Sequence, residues 1–368
     1  KEKCEIMDLF ETNTIGNVAL KNRFVRSATW EWMADEKGHL TERLFKVYED
    51  LAKGGAAALF TGYAYILENE QPNPAMMGAY NDSFTREYRK LTDLVHSHNC
   101  RIFLQIVYGG PFTHFNADRR IIWGPSAVEH RVTGVTPVEM TGENIHTLVN
   151  AFGDAAVLAK ESGFDGVQFH AAHGYLLNLF LSPYYNRRSD EYGGSSENRA
   201  RIIYEVYDNI REKAGEDFPV VMKINCSDFA GENGQTLAET KIICETLEKK
   251  GIDAIEISGG PVFKKPKADK ESFQPEKERK TSYYAEYAKE IAKDLSLPVL
   301  LVGGNRSIEE MEEICNGSNI SNFSFSRPLL SEPDLINKWE NDRNYIPRCT
   351  SCRKCFSAGG NMCVLDKE

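Results

Sequence analysis

Two histidines and a tyrosine, His170, His173 and Tyr175, close the stretch 'FDGVQFHAAHGY'. The strand-like run before them alternates, with Val167 and Phe169 on one face and Gly166, Gln168 and His170 on the other. An imidazole therefore stands where a second buried face belongs. That placement invites a ligand. Spaced His-x-x-His on a strand-to-helix turn, the pair could hold a metal ion, and a lone strand-end histidine can also be a satisfied structural residue. No equally placed set of further His or Asp ligands ends the first, fifth and sixth strand-like runs, which weighs against metal-assisted hydrolysis. Lys223 in 'VVMKIN' poses a similar question. It shares a face with Val221 and Asn225, opposite Met222 and Ile224, and a buried lysine needs a negative partner, whether a neighbouring carboxylate or an anionic ligand. 'VGGN' and 'FSFSRPLLSEPDL' supply Gly303 and Gly304 for close backbone approach and Arg327 for charge, the parts of a phosphate site.

Positioning these residues falls to eight short apolar runs: 'RFVRSA' from Arg23, 'AALFTGY' from Ala57, 'RIFLQIVY' from Arg101, 'FDGVQFH' from Phe164, 'VVMKIN' from Val220, 'IDAIEIS' from Ile252, 'PVLLVGG' from Pro298 and 'ISNFSFS' from Ile320. Segments with helical spacing lie between them, such as 'TREYRKLTDLVHSHN', 'TLVNAFGDAAVLAKESG', 'NRARIIYEVYDNIREKAG' and 'AETKIICETLEKKG'. Eight strand-helix units without a composition break predict an α/β fold, one closed (β/α)8 TIM barrel over residues 1–340, with a doubly wound sheet as the alternative. Such a barrel needs roughly 250 residues. The surplus goes to a loop from Gly109 to about Val138, a charged loop after Gly260, and a Cys-rich tail at 341–368. In a barrel the working residues stand at the C-terminal strand ends. The polar rim is then Thr29 and Trp30, Gly62, Gln105, the His170 group, Lys223 and Asn225, Ser258 and Gly259, Gly303 and Gly304, and Ser326 and Arg327. 'NRRSDEYGG' reads as scaffolding, with Ser195 or Ser196 capping the next helix.

Composition narrows the partners. The chain has 368 residues, 41% hydrophobic and 27% charged, with a formal net charge of −10. That balance excludes a general nucleic-acid binder, and no run of about 18 apolar residues offers a membrane span. The lysines of 'FKKPKADKESFQPEKERK' are interleaved with acids and read as a solvated loop. The first residues lack the apolar core of a signal peptide, so a cytoplasmic protein is expected. Nine cysteines divide into a scattered set, expected as reduced thiols, and Cys349, Cys352, Cys355 and Cys363 in the tail.

The stretch 'HAAHGYLLNLFLSPYYNRRSDEYGGSSENRARI' resembles the signature of the old yellow enzyme family of FMN-dependent ene reductases, and 'GNVALKNRFVRSA', 'FLQIVYGG', 'VGG' and 'RPLLSEPDL' fall in that family's order. The likeness runs from about Ile6 to Trp339. It implies FMN at the C-terminal mouth, with Gln105 on the flavin pyrimidine edge and Lys223 near N1 and O2. Ser27, Ala28, Thr29 and Gly62 would line the flavin, and Gly303, Gly304, Ser326 and Arg327 would hold its phosphate. His170 and His173 would hydrogen-bond the carbonyl or nitro oxygen of an activated alkene, and Tyr175 would protonate the α-carbon. NAD(P)H would enter the same mouth transiently as the reductant of a ping-pong cycle.

The sequence also departs from the pattern. Trp30 stands where the family usually has a small residue beside the flavin, Tyr108 and Pro111 stand where a His and an Arg are common, and Ser326 replaces a usual Gly. Trp30 and Tyr108 are therefore candidate shapers of the substrate pocket. The tail 'CTSCRKCFSAGGNMC' resembles the cluster-binding segment of dienoyl-CoA reductases and trimethylamine dehydrogenase, with a shorter C-x2-C-x2-C-x7-C spacing. It implies an iron-sulfur cluster or zinc, or reduced thiols. The expected function is NAD(P)H-dependent reduction of activated C=C bonds in a small-molecule alkene. The alternatives are an amine or enoate oxidoreductase exchanging electrons with a partner, and a flavin- or metal-binding barrel without turnover. A homo-oligomer is left open.

Overall fold

The computed structural model describes residues 7–113, 115–260, 281–355 and 360–366. Eight parallel strands form its centre: β1 (Phe24–Arg26), β2 (Ala58–Phe60), β3 (Arg101–Val107), β4 (Gly166–Ala171), β5 (Val220–Asn225), β6 (Ala254–Ser258), β7 (Val299–Val302) and β8 (Ile320–Phe325). Each pairs with the next, and β8 returns to β1, so the sheet closes on itself. All eight coincide with the apolar runs of the sequence, and the closed (β/α)8 barrel is the fold. The charged stretch after Gly260 lies outside the described residues.

Closure buries both strand faces, and the residues divide accordingly. Outward-facing Val167, Phe169, Met222 and Ile224 join the large core beneath the helices, whereas inward-facing Val25, Phe103, Val221, Ala254 and Leu300 form a separate apolar plug. A hairpin of Asn13–Ile15 and Val18–Leu20 lends Ile15 and Leu20 to this plug. Two residues further along the same strands, the inward positions turn polar: Ser27, Gln105, Lys223 and Glu256, all buried. A period of two makes that layering possible.

The helices begin where the sequence offers caps. Thr41 caps α1 (Glu42–Lys53); α2 (Thr85–His96) follows a short turn; Thr141 and Asn144 form a capping box at α3 (Gly142–Glu161). Ser195, one of the two serines expected, accepts from Asn198 N–H at the start of α4 (Ser196–Ala214), with Glu197 in the first turn. Thr236 and Glu239 box the start of α5 (Leu237–Lys250). After α6 (Ala285–Ala292), α7 (Ile308–Asn316) and β8, α8 (Leu335–Asn341) seats Trp339 against Phe24 of β1 and Phe325 of β8, with ring centroids 5.9 and 5.5 Å away. The insertion from Gly109 to Val138 is anchored by a buried ion pair, Arg120 to Glu70 at 3.1 Å, whose carboxylate also accepts Gly109 N–H at 3.0 Å.

Trp339 is fully buried and holds the last helix over the seam where the barrel closes. Replacing it with Ala should cost about 3–5 kcal/mol, read as a lowered denaturant midpoint with an unchanged slope.

Candidate active site

The turn after β4 carries the histidines in a backbone that side chains rarely adopt. His173 has φ of 61°, followed by Gly174 at 80°, a conformation that costs a non-glycine residue on the order of 1–3 kcal/mol. A buried polar network holds it. His173 N–H donates to Asn225 Oδ1 at 3.3 Å and Gly174 N–H to Asn178 Oδ1 at 2.8 Å. Asn178 and Asn225 both donate to Asp228 Oδ1, at 3.1 and 2.9 Å, and Gln235 N–H donates to Asp228 Oδ2 at 3.0 Å. Burial lifts the Asp228 carboxyl to about 6 despite these donors.

The His170 and His173 rings then meet edge to face, centroids 5.1 Å apart, and Tyr175 lies 4.9 Å from His170. Ala172 N–H donates to His170 Nδ1 at 3.2 Å, so in the neutral ring Nε2 carries the proton and is the available donor. His173 Nε2 is 2.7 Å from Ser258 Oγ. Burial, reinforced by the Lys223 charge, pulls both imidazoles down, His173 to about 3. The pair is therefore neutral near pH 7. Tyr175 packs edge-on to Tyr63 and Phe112, each at 5.4 Å. Burial raises its phenol to about 12, while Tyr63 and Asn73 act in the opposite sense.

Below this group the polar layer of the barrel forms one hydrogen-bonded chain. Gln105 Nε2 donates to Gln168 Oε1 at 2.7 Å, and Gln168 Nε2 donates to Glu256 Oε2 at 3.0 Å. Lys223 Nζ reaches the same carboxylate oxygen at 3.1 Å and Ser27 Oγ at 2.7 Å. The negative partner that Lys223 required is thus present within the protein. Neither Glu256 nor Gln168 was singled out from the sequence. The alternation that exposed Lys223 in 'VVMKIN' applies equally to Glu256 in 'IDAIEIS'.

The ends of β7 and β8 form a hollow lined by Gly303, Gly304, Asn305, Ser326 and Arg327. Gly303 and Gly304 have φ of 119° and 82°, and a Cβ on Gly304 would stand 2.8 Å from the Tyr283 ring. Arg327 Nη1 is buried and finds no hydrogen-bond partner among the described residues. A left-handed glycine pair beside an unspent guanidinium nitrogen fits an anionic oxygen ligand such as a phosphate. Thr29 Oγ1 donates to Ser326 Oγ at 2.7 Å and so joins the ends of β1 and β8. Ala28 packs on the plug beneath, and Gly62 admits no side chain, since its Cβ would lie 2.1 Å from Glu31 Oε2.

Residues 8–345 match the family described as NADH:flavin oxidoreductase / NADH oxidase. The chain belongs to this family. The expectation of an old yellow enzyme-like flavin oxidoreductase is borne out at that level. Over 359 residues the chain is 33% identical to an NADH oxidase of Thermoanaerobacter brockii, a match covering 94% of this chain and 52% of that protein. An NADPH dehydrogenase of Bacillus subtilis is 30% identical over 326 residues, 88% of this chain and 92% of its own. The structure of a 2-naphthoyl-CoA reductase complexed with 2-naphthoyl-CoA superposes with a TM-score of 0.84 at 26% identity, over 95% of this chain and 54% of that one. The chain spans about half the length of several curated relatives it matches.

Two of the departures, Trp30 and Tyr108, sit in separate aromatic groups. Trp30 stacks on Trp32 at 4.8 Å and lies 6.5 Å from Tyr63, a residue the sequence reading passed over. Tyr108 is turned toward the insertion, its ring stacked on Trp123 at 5.7 Å and its hydroxyl accepting Trp123 N–H at 3.2 Å. The tail folds back on the barrel. Arg306 donates to Cys349 O and Ser351 Oγ, and Asn361 N–H donates to Glu31 O at 2.8 Å. Cys349 and Cys363 are buried, Cys355 is half-buried and Cys352 is exposed. Burial and the three neighbouring cysteines push the Cys355 thiol up. Among the described residues, no three His, Cys, Asp or Glu side chains are grouped to hold a metal ion, so the tail's metal ligation finds no ligand set here. No described helix is long and apolar enough to cross a membrane.

Two outcomes follow. Histidines held neutral in the fold bind fewer protons than in the unfolded chain, whose value is about 6.5. Their contribution to stability should therefore fall as pH drops below that value, toward about 3 for His173, and the ring resonances of both should stay unshifted between about pH 8 and 5. Replacing Asp228 with Ala strands the buried donors of Asn178 and Asn225. It should lower stability by about 2–3 kcal/mol, measurable by chemical denaturation.

Proposed function

We propose that the chain forms an FMN-dependent NAD(P)H oxidoreductase that reduces activated C=C bonds of small α,β-unsaturated carbonyl, enoate or nitro compounds by ping-pong hydride transfer. The observation that carries this reading is a neutral, donor-bearing His170 with Tyr175 at 4.9 Å, set above a buried lysine and beside a cradle fit for phosphate. Bound there, FMN would accept hydride from NAD(P)H and deliver it to the β-carbon of the alkene.

The chain's residues would supply the rest. Arg327 and the N–H groups around Gly303, Gly304 and Ser326 would hold the phosphate, while Ser27, Ala28, Thr29 and Gly62 would line the flavin. Gln105 and Lys223 would hold the pyrimidine end, where a fixed cation favours the electron-rich state. His170 and His173 donate hydrogen bonds to the substrate oxygen and draw electrons from the β-carbon. Neutral imidazoles suit this task, since they donate without surrendering a proton. Tyr175, a phenol already protonated at neutral pH and pushed further from ionisation by burial, gives its proton to the α-carbon. Trp30 limits the width of the pocket, and Tyr108 acts at its edge through the insertion.

A second reading has electrons arriving from a partner by way of the tail. It is favoured by Cys355, which lines a cavity together with Thr29, Ser326 and Arg327. That route would need a cluster or zinc on Cys349, Cys352, Cys355 and Cys363, which are not grouped as a ligand set among the described residues, and metal analysis of anaerobically purified protein decides it.

The deciding experiment is a visible spectrum followed through both half-reactions. A flavin band bleached by NADH or NADPH and restored by an enone supports the cycle; protein that takes up no FMN overturns it. Tyr175→Phe should slow reoxidation by the enone about 10²- to 10⁴-fold while sparing reduction by NAD(P)H. Arg327→Ala should weaken FMN binding by roughly tenfold or more, read by ultrafiltration of released flavin.

A further inference from the structure

The interior of the barrel carries a buried carboxylate for which the proposed cycle has no task. Glu256 has no solvent exposure. Its Oε2 receives Lys223 Nζ at 3.1 Å and Gln168 Nε2 at 3.0 Å, while its Oε1 is buried without a hydrogen-bond partner among the described residues. A carboxylate oxygen shared by two such donors accepts from both. Gln168 must therefore turn its NH2 toward Glu256 and its carbonyl toward Gln105, whose NH2 donates to it at 2.7 Å. The acid thus sets the direction of the whole chain. Reversing either amide would bring two donors or two acceptors together, at the cost of a buried unpaired group. Gln105 keeps its own carbonyl oxygen outside this chain.

The same carboxylate changes what Lys223 offers. An isolated buried ammonium would present a full positive charge to a neighbouring ligand, whereas an ammonium 3.1 Å from a carboxylate presents a dipole. We propose that Glu256 is a positioning residue that tunes the cofactor: it holds Lys223 and orients Gln105 toward the flavin pyrimidine end, and it offsets the lysine charge there. The bound flavin is then harder to reduce, and its reduced form a stronger hydride donor, than beside an unpaired lysine. This rests on the reading that Lys223 and Gln105 face FMN.

The test uses Glu256→Gln, which keeps the shape and removes the charge, with the midpoint potential and sulfite affinity of FMN-loaded protein as readouts. Sulfite adds to oxidised flavin and leaves negative charge at the pyrimidine end, so it reports the local field without turnover. The variant should show a higher potential and sulfite binding tighter by roughly tenfold. A lowered thermal midpoint with both readouts unmoved would assign Glu256 to stability alone and overturn the proposal. Should Glu256→Gln fail to fold, Glu256→Asp, which draws the carboxylate back from Lys223, should shift both readouts in the same sense by less; no shift, or the opposite one, overturns it. Lys223→Gln should lower the potential and weaken sulfite binding. If it changes neither in FMN-loaded protein, the placement of Lys223 fails and takes this proposal with it. Unchanged readouts in the Glu256 variants alone leave the functional reading standing.

Discussion

A closed sheet covered by helices leaves its inward faces without water, so every polar side chain there must find a partner inside the barrel. That constraint organises the molecule. Val25, Phe103, Val221 and Ala254 meet it with apolar contact, and Ser27, Gln105, Lys223 and Glu256, two positions along the same strands, meet it with hydrogen bonds and one ion pair. The height at which the interior changes from one solution to the other sets the floor of the mouth. Everything assigned to the site stands on that floor or on the loops just above it.

Much of this was legible in the sequence because the barrel rests on local patterns. Short β-branched runs separated by amphipathic segments gave all eight strands, and alternation alone marked His170 and Lys223 as residues facing inward. The resemblance added the order of motifs that the family match bears out. What stayed hidden depends on distant pairings. Glu256 shares the alternation that marked Lys223, but its partner shows only when β6 lies beside β5, and Asp228 gains meaning only when Asn178 reaches it from the segment after β4. Tyr63 reaches the Tyr175 ring from the loop after β2, a meeting no spacing rule foretells.

The histidine turn shows how strain and pairing offset each other. His173 occupies a left-handed conformation, and the donors and acceptors that stabilise it come from β5 and the loop after it. The histidine turn after β4 is thus tied to the neighbouring strand. Trp30 beside Trp32 has a comparable dependence: the loop beneath it is held by Glu31, buried against Arg26 at 3.2 Å and Tyr48 at 3.0 Å. In both places a residue able to touch a ligand is positioned by one that does not.

The returning tail bears on how long a ligand stays. Ser351 lines the same hollow as Gly304 and Arg327 and is gripped by Arg306. A cofactor phosphate seated in that hollow would have this segment as part of its wall. Its departure would then wait on the peeling away of Ser351 and its neighbours, and residence time would be set by an opening rate as well as by the strength of the phosphate contacts.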